Sequence, residues 1–456
     1  MRFLTDRRAD SVDLTVGKPS LHIIRFALPM MLSQVFQQLY NTTDSLIVGR
    51  CLGTDELAAV SSSGPMIFLL ISFFEGLFMG AGVLIARLFG EKDDSGVGRA
   101  VHTSFAVALV SGVLLTALGI TFTPALLRWI NTDPDVMPLA VSYFRVYFIG
   151  SMPFALYGAS RSAMMAVGDS RRPLSYLVIS SLLNIALDLI FIPVFGWGVW
   201  AAAFATVISQ FVSAVLCIVH LIRNGGIVSI KVRKIRFHGD MLKKIVGYGI
   251  PSGIQNSVIG LSNLIVQSQI NIFGKYAMAA FGTHAKIEGF AFLPVNSFNM
   301  AISTFIGQNL GARRYDRAKE GARFGILASV ALTEIIGIVY YFASPALIGL
   351  FDKSEKVVSF GVSQAHTVAL FYFLVAYSHA IAAVCRGAGK AFVPMTVMLS
   401  VWCVFRIIYI FAVMWLFYDI RFVYTAYPVT WVISSIIYFI YYHTSDWIHG
   451  FEKEKR

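Results

Sequence analysis

The sequence predicts an all-α integral membrane protein with twelve transmembrane helices in two pseudo-symmetric six-helix lobes. Three observations lead to this prediction: an apolar composition, twelve apolar runs of spanning length, and an internal repeat. Of the 456 residues, 57% are hydrophobic and 14% are charged, and the mean hydropathy is +0.69. Soluble domains hold about 45–50% apolar and about 25% charged residues, so this composition excludes an ordinary soluble protein.

The apolar runs have the length of bilayer spans, since a transmembrane helix needs about 20 mostly apolar residues. They cover residues 23–48, 57–88, 99–123, 136–160, 174–194, 198–222, 244–272, 278–308, 322–343, 357–385, 392–417 and 423–444. The longer runs predict helices that tilt or extend beyond the hydrocarbon layer. The first twenty residues are polar and charged, so we expect the first run to stay in the membrane as an anchor.

The orientation of the spans follows from the positions of lysine and arginine. With the N-terminus inside, 28 of these residues lie in or beside inner segments and six lie outside. Positively charged loops stay in the cytoplasm, so we predict a multi-pass protein of the cell membrane with both termini cytoplasmic. The net charge of +12 is therefore a feature of topology, and we expect no nucleic-acid partner.

Segments of the first half recur in the second half at a nearly constant spacing. TPALL (123–127) matches SPALI (344–348), and AVGDSRRP (166–173) matches GAGKAFVP (387–394) at the identical spacing. Pro29 and Pro251 are separated by almost the same interval. Six spans per half place both halves in the same orientation, which is a parallel repeat of the kind found in transporters. We predict an N-lobe (1–222), a basic cytoplasmic linker (223–243) and a C-lobe (244–456).

The first span carries a polar stripe within QQLYNTTDSLIVG, residues 37–49. Gln37, Tyr40 and Asp44 fall within an arc of about 60° on a helix, so this face is turned away from lipid. An ionisable residue in a span costs about 2.5 kcal/mol or more, which makes Asp44 a candidate functional residue.

The fifth span offers a partner in SSLLNIALDLIF, residues 180–191. Asn184 and Asp188 share one face, and Asp188 lies at the same depth as Asp44, roughly 8–9 Å below the outer end. In the sixth span, Thr206 lies near the depth of Asn184. These oxygens suit a hard cation; the two acids could instead share one proton, or form a structural pair that fixes helix packing.

The second half lacks this carboxylate pair, because the equivalent positions hold aliphatic residues and Tyr409. Its own charged residues are Glu288 and Lys286 in the eighth span and Arg406 in the eleventh. Glu288 and Arg406 could form a buried ion pair or contact substrate or protons. Lys286 lies two residues from Glu288 and so faces another direction.

Other ionisable residues give weaker signals. Glu75 and Glu334 are lone acids within spans. The spacing of the histidines and cysteines indicates no metal site, so we expect no metal cofactor.

The sequence resembles the multidrug and toxic compound extrusion (MATE) transporters, particularly the DinF-like group. The resemblance depends on LPMMLSQVFQQLYNTTDSLIVG, the LFGEKD-type loop, AVGDSRRP, and NIALDLIFI followed by GWGVWAAAFATVIS. It implies a V-shaped pair of lobes that exports organic cations or amphipathic, drug-like compounds in exchange for Na⁺ or H⁺, functioning as a monomer in the bilayer. The family's cation site maps onto Tyr40, Asp44, Asn184, Asp188 and Thr206.

Three other functions are less consistent with these features. A lipid-linked precursor flippase of the same superfamily generally has fourteen spans and a cationic cavity. A membrane-embedded enzyme would need a nucleophile, a metal set or paired diphosphate motifs, and a channel would need a filter. The twelve spans and paired acids favour an ion-coupled antiporter that is not an enzyme.

Overall fold

The computed structural model describes residues 12–129, 132–224 and 226–453, and this part of the chain is helical with no β-strand. The helices are α1 (Pro19–Cys51), α2 (Thr54–Gly90), α3 (Asp94–Trp129), α4 (Met137–Ile149), α5 (Ser151–Ala166), α6 (Arg171–Phe191), α7 (Trp200–Asn224), α8 (Gly239–Asn271), α9 (Lys275–Gly311), α10 (Tyr315–Phe351), α11 (Glu355–Val368), α12 (Tyr372–Gly387), α13 (Phe392–Val397), α14 (Arg406–Leu416), α15 (Ile420–Thr444) and α16 (Gly450–Lys453).

The helices reproduce the twelve predicted spans. Within the described ranges, nine helical segments are long and apolar enough to cross a membrane, or ten when α4 and α5, bent by 43°, count as one. The 3₁₀ turn Ala369–Phe371 joins α11 to α12, and the π-helical segment Met398–Phe405 joins α13 to α14. The polar helices α1 and α8 complete the set. The predicted all-helical membrane fold is confirmed.

The turns between helices repeat with the predicted spacing. Gly53 (φ 130°) joins α1 to α2, and Gly274 (φ 90°) joins α8 to α9 at the corresponding position of the second half. Lys92 (φ 59°) and Arg313 (φ 55°), at the next turn of each half, are both left-handed and are separated by the same interval. A non-glycine residue with positive φ is uncommon, so a matched pair indicates that both halves share one backbone path.

The chain forms two compact units whose boundaries lie inside α1 and α8. Unit 1 contains 12–13 and Leu32–Ile250, and unit 2 contains Leu14–Met31 and 251–453. The boundaries lie beside Pro29 and Pro251, each of which removes a hydrogen bond from its helix. The predicted lobe limits at 222 and 244 remain a prediction, and the structure places the first turns of α8 in unit 1.

Within unit 1, α2 and α8 approach to backbone contact at Gly80 and Gly249. A Cβ atom at Gly80 would lie 2.5 Å from Gly249 Cα and 2.8 Å from Tyr248 C. Next to this crossing, the Arg87 guanidinium donates a hydrogen bond to Tyr248 Oη at 3.2 Å. Small residues at such a crossing let helices approach closely in a bilayer.

The described part of the predicted linker is anchored to α3 near its start. The backbone N–H of Lys231 donates to His102 Nε2 at 3.1 Å. His238 Nδ1 lies 3.1 Å from Thr103 Oγ1, and Arg236 Nε donates to His238 Nε2 at 3.2 Å. Both imidazoles therefore accept a hydrogen bond from a neighbouring N–H in this arrangement.

Candidate functional site

Helix α1 turns part of its polar stripe into the interior of unit 1. Asp44 is buried, with 9% of its surface exposed, whereas Thr42 and Thr43 donate their hydroxyls to the carbonyls four residues earlier at 2.8 and 2.9 Å. Such hydroxyl bonds satisfy the side chain within its own helix. The carboxylate of Asp44 is left to be stabilised by other helices or by a ligand.

Two neighbouring helices bring the other sequence-predicted residues to the same place. Asn184 and Asp188 on α6 and Thr206 on α7 are all buried, and Asp188 is fully so. The Asn184 amide donates to Thr206 Oγ1 at 3.4 Å, and Asp188 interacts electrostatically with Asp44. Three helices thus bring two carboxylates, an amide and a hydroxyl together in unit 1.

Four oxygen atoms of this site lack hydrogen-bond donors among the described residues. Within the described residues, Asp44 Oδ1, Asn184 Oδ1 and both carboxylate oxygens of Asp188 accept no hydrogen bond. A buried carboxylate without donors is strongly unfavourable as an anion. The arrangement is therefore suited to a positive charge, either a hard cation such as Na⁺, which prefers oxygen ligands, or a proton.

No transition-metal centre is formed by the described residues, because no three His, Cys, Asp or Glu side chains among them form a group that could hold a metal ion.

Tyrosine residues border the acidic pair. Tyr40 shares a hydrogen bond with Gln37 and interacts electrostatically with both aspartates. Tyr143, on α4, interacts with the same two carboxylates and with Tyr40. It also stacks on Tyr147, with ring centroids 6.2 Å apart and planes at 29°. The pair, which we call the Tyr143–Tyr147 stack, lies one helical turn apart on α4.

A small pocket adjoins the Tyr143–Tyr147 stack at the bend between α4 and α5. Its lining is mostly apolar, with the polar side chain of Gln210 from α7 among it. Tyr147 also lines the pocket and shares a hydrogen bond with Gln210. Sequence reasoning missed the tyrosines of α4 and Gln210. The i, i+4 spacing of the two tyrosines in VSYFRVYF was the available signal.

An ion pair balances Glu75, the acid in the middle of α2. Arg161 Nη2 lies 3.2 Å from Glu75 Oε1, in partly buried surroundings. The expectation that Glu75 is a lone acid is wrong, because Arg161 of α5 is its partner. Glu75 interacts electrostatically with Tyr40 and Tyr147. Glu75 therefore has its own counter-charge, and the described residues form no such ion pair with Asp44 or Asp188.

In unit 2, Glu288 and Arg406 both lie in the described part of the chain. They do not form the direct ion pair that the sequence allowed. Arg406 is 1% exposed, and its guanidinium donates to Asn263 Oδ1 at 3.3 Å and Thr430 Oγ1 at 3.0 Å. It also lies over the rings of Trp402 and Tyr427, 5.1 and 4.9 Å from their centroids. Neutral acceptors and aromatic faces thus occupy the arginine.

The other predicted residues of unit 2 differ in their surroundings. Glu288 interacts with Arg406 electrostatically but without contact, and it accepts a hydrogen bond from Tyr372 Oη at 3.3 Å. Lys286 is exposed on another face of α9. The structure therefore does not bring Lys286, Glu288 and Arg406 together.

Comparison with known proteins supports the assignment reached from the fold and the site. The MatE family model matches residues 29–190 and again 251–412, so the two matches are offset by the length of the predicted repeat. The chain is 29% identical over 437 residues to "Probable multidrug resistance protein YoeA" of Bacillus subtilis, covering 93% of this chain and 94% of that protein. It is 25% identical over 387 residues to "Probable multidrug resistance protein NorM" of Thermotoga maritima, covering 83% and 82%.

Solved structures share the whole fold. A transporter of the MOP superfamily from Pyrococcus furiosus, described as having a binding pocket of reverse polarity, superposes with a TM-score of 0.89 at 23% identity, over 97% of this chain and 98% of that chain. An outward-facing multidrug resistance MATE transporter gives a TM-score of 0.89 at 24% identity, over 97% and 99%. The family model matches more than half of the chain, and the chain therefore belongs to the MatE family, the multidrug and toxic compound extrusion transporters.

Proposed function

We propose that the protein is a secondary active multidrug efflux antiporter that exports organic cations or amphipathic compounds in exchange for Na⁺ or H⁺. The observation that carries the proposal is the pair Asp44 and Asp188. Among the described residues, Asp44 Oδ1 and both carboxylate oxygens of Asp188 lack donors, while Glu75 of the same unit has its own arginine. The printed names of the relatives, multidrug resistance proteins, support export of drug-like molecules. The cell-membrane location, with both termini cytoplasmic, and function as a monomer in the bilayer belong to the same proposal.

Each residue of the site has a defined role in this proposal. Asp44 and Asp188 hold the coupling ion, and Asn184 Oδ1 and Thr206 Oγ1 supply neutral oxygens. Tyr147, which stacks on Tyr143, and Gln210 line the adjoining pocket, and the aromatic faces at this place can contact a cationic or amphipathic substrate. Because the carboxylates attract ion and cationic substrate alike, binding of one weakens binding of the other.

Neutralisation of the carboxylates is coupled to movement through α1. When a cation binds between Asp44 and Asp188, their mutual repulsion disappears and α1 can pack closer to α6. Pro29 interrupts the hydrogen-bond ladder of α1, so a bend there is a low-energy response. Alternating access then requires that the ion binds the inward-facing and outward-facing states with different affinities, and that the substrate does so too.

The experiment is efflux of a fluorescent organic cation from proteoliposomes under a Na⁺ gradient or a pH gradient, imposed one at a time. We expect transport driven by one of them in the wild type, and its loss in Asp44→Asn and Asp188→Asn. Asp135→Asn, at an exposed acid before α4, is the matched control and should transport normally. Uphill export by correctly inserted Asp44→Asn protein would refute the proposal, and indifference to both gradients would favour a lipid-linked precursor flippase.

Substitution of a neutral ligand distinguishes Na⁺ from H⁺ as the coupling ion. Na⁺ needs several oxygen ligands, whereas a proton needs only a carboxylate. Thr206→Val is therefore expected to weaken Na⁺-driven efflux about tenfold or more, and to leave H⁺-driven efflux within about twofold, taking tenfold as about 1.4 kcal/mol of ion binding. Thr42→Val, which removes a hydroxyl bonded within its own helix, is the control.

A further inference from the structure

Unit 2 contains a polar cluster on α9 that the proposed function does not use. His284 and Glu288 are one helical turn apart; His284 is 2% exposed, and the Glu288 side chain is 21% exposed. His284 Nε2 lies 3.7 Å from Glu288 Oε1. A gap of this length is longer than a hydrogen bond, so the two groups face each other without sharing a proton.

Two tyrosines fix the cluster. His284 Nδ1 is hydrogen-bonded to Tyr340 Oη on α10 at 2.7 Å, and the rings of the two residues are in contact, with centroids 5.6 Å apart. Tyr372 on α12 donates to Glu288 Oε1 at 3.3 Å. Both tyrosines are buried. The imidazole is thereby held with Nε2 turned to the carboxylate.

We propose that His284 and Glu288 form a second proton-binding site, located in unit 2 and independent of Asp44 and Asp188. In either neutral tautomer one ring nitrogen lacks a proton. An added proton gives an imidazolium that donates from Nδ1 to the Tyr340 oxygen and from Nε2 to Glu288, in a charge-assisted hydrogen bond. The groups that face each other are one imidazole nitrogen and one carboxylate, whereas Na⁺ prefers several oxygen ligands. We therefore take a proton to be the ligand.

The surrounding charges keep this site from holding its proton permanently. Within the described chain, the titratable or charged groups that interact with the pair are Tyr340, Tyr372, Arg406 and Tyr427. Without the added proton, the charge of Glu288 is offset by the nearby Arg406. With it, the cluster carries a net positive charge in partly desolvated surroundings, which favours release. The site can therefore load and unload as pH changes.

Histidine NMR on the purified full-length protein in lipid nanodiscs tests this proposal without any transport assay, so its outcome does not depend on the proposed function. The chain has nine histidines, and His284→Gln assigns one ¹⁵N signal by removing it. If that variant does not fold, the signal is the one that shifts in Tyr340→Phe. We expect the His284 signal to change from the neutral to the protonated form as the pH is lowered.

The partner carboxylate provides the decisive comparison. In Glu288→Gln, the ratio of protonated to neutral His284 at a given pH should fall about tenfold, since the counter-charge of the imidazolium is lost. Glu355→Gln, an exposed acid at the start of α11, is the matched control and should leave the ratio unchanged. A His284 signal that stays neutral throughout, or one with the same ratio in Glu288→Gln as in wild type, would overturn the proposal.

Discussion

Gly80→Ala is expected to destabilise unit 1, because Gly80 lies where the backbones of α2 and α8 touch. The new Cβ atom would lie 2.5 Å from Gly249 Cα and 2.8 Å from Tyr248 C. Carbon atoms pack at about 3.5–4.0 Å, so the helices must separate by roughly 1 Å at this point. The obstacle is backbone, which cannot rotate aside as a side chain would.

The magnitude follows from the behaviour of overpacked interiors. An extra methyl group forced into a close-packed contact costs about 1–3 kcal/mol. Each kcal/mol shifts the melting temperature of a domain of this size by about 2–4 °C. We therefore expect Gly80→Ala to melt about 2–12 °C below the wild type in thermal unfolding of the purified protein, followed by intrinsic fluorescence.

Gly98→Ala is the matched control for this measurement. Gly98 lies within α3 of the same unit, and a Cβ atom there would meet no atom within 4 Å. Because alanine favours helix more than glycine does, by about 1 kcal/mol, this variant should melt at or slightly above the wild-type temperature. Equal melting of Gly80→Ala and Gly98→Ala would refute the backbone contact.

Three further predictions concern contacts at other places. Burial and the neighbouring arginines lower the pKa of His238, so the neutral, docked linker is stable above the ordinary histidine pKa and is released as the pH falls below it. The protection of the linker amides from exchange, corrected for the intrinsic exchange rate at each pH, should therefore be lower at about pH 5 than at about pH 8. Equal protection at the two pH values would contradict this. Arg317 donates to several backbone carbonyls just before α1, so Arg317→Gln should expose that segment to limited proteolysis, whereas Arg314→Gln should not. Glu75→Gln and Arg161→Gln should each lower the melting temperature, and the double variant should recover part of the loss; additive losses would show that the ion pair contributes nothing.

The acidic site was accessible to sequence reasoning because it combines local patterns with depth. The i, i+4 spacing of Asn184 and Asp188 fixes one face of α6, and counting residues from the outer helix ends places Asp44 at the same level. The fold class follows equally directly from span length and the repeat. These features depend only on helix geometry and on the thickness of the bilayer, and neither of these changes with the way the helices are arranged.

The rest required knowledge of which helices are neighbours. Tyr143 joins the site only because α4 packs beside α1 and α7, and Arg161 meets Glu75 only because α5 packs on α2. In lipid, helix packing depends on shape complementarity and small residues more than on an apolar stripe. Hydropathy therefore identifies the spans but does not pair them. The arginine beside Glu75 and the neutral hydrogen-bond acceptors around Arg406 could not be predicted from it.

The buried charges of the two units are satisfied in opposite ways. In unit 2, Arg386 donates to Gln255 Oε1 at 3.0 Å and Asn299 Oδ1 at 2.5 Å, and Arg406 has its own neutral acceptors, so in each arginine only Nε lacks a partner among the described residues. Fixed dipoles thus stabilise these permanent charges. In unit 1, both oxygens of Asp188 lack donors among the described residues. A carboxylate that the described residues do not stabilise is favoured when a cation or a proton neutralises it. This property supports the proposal that Asp44 and Asp188 hold the coupling ion.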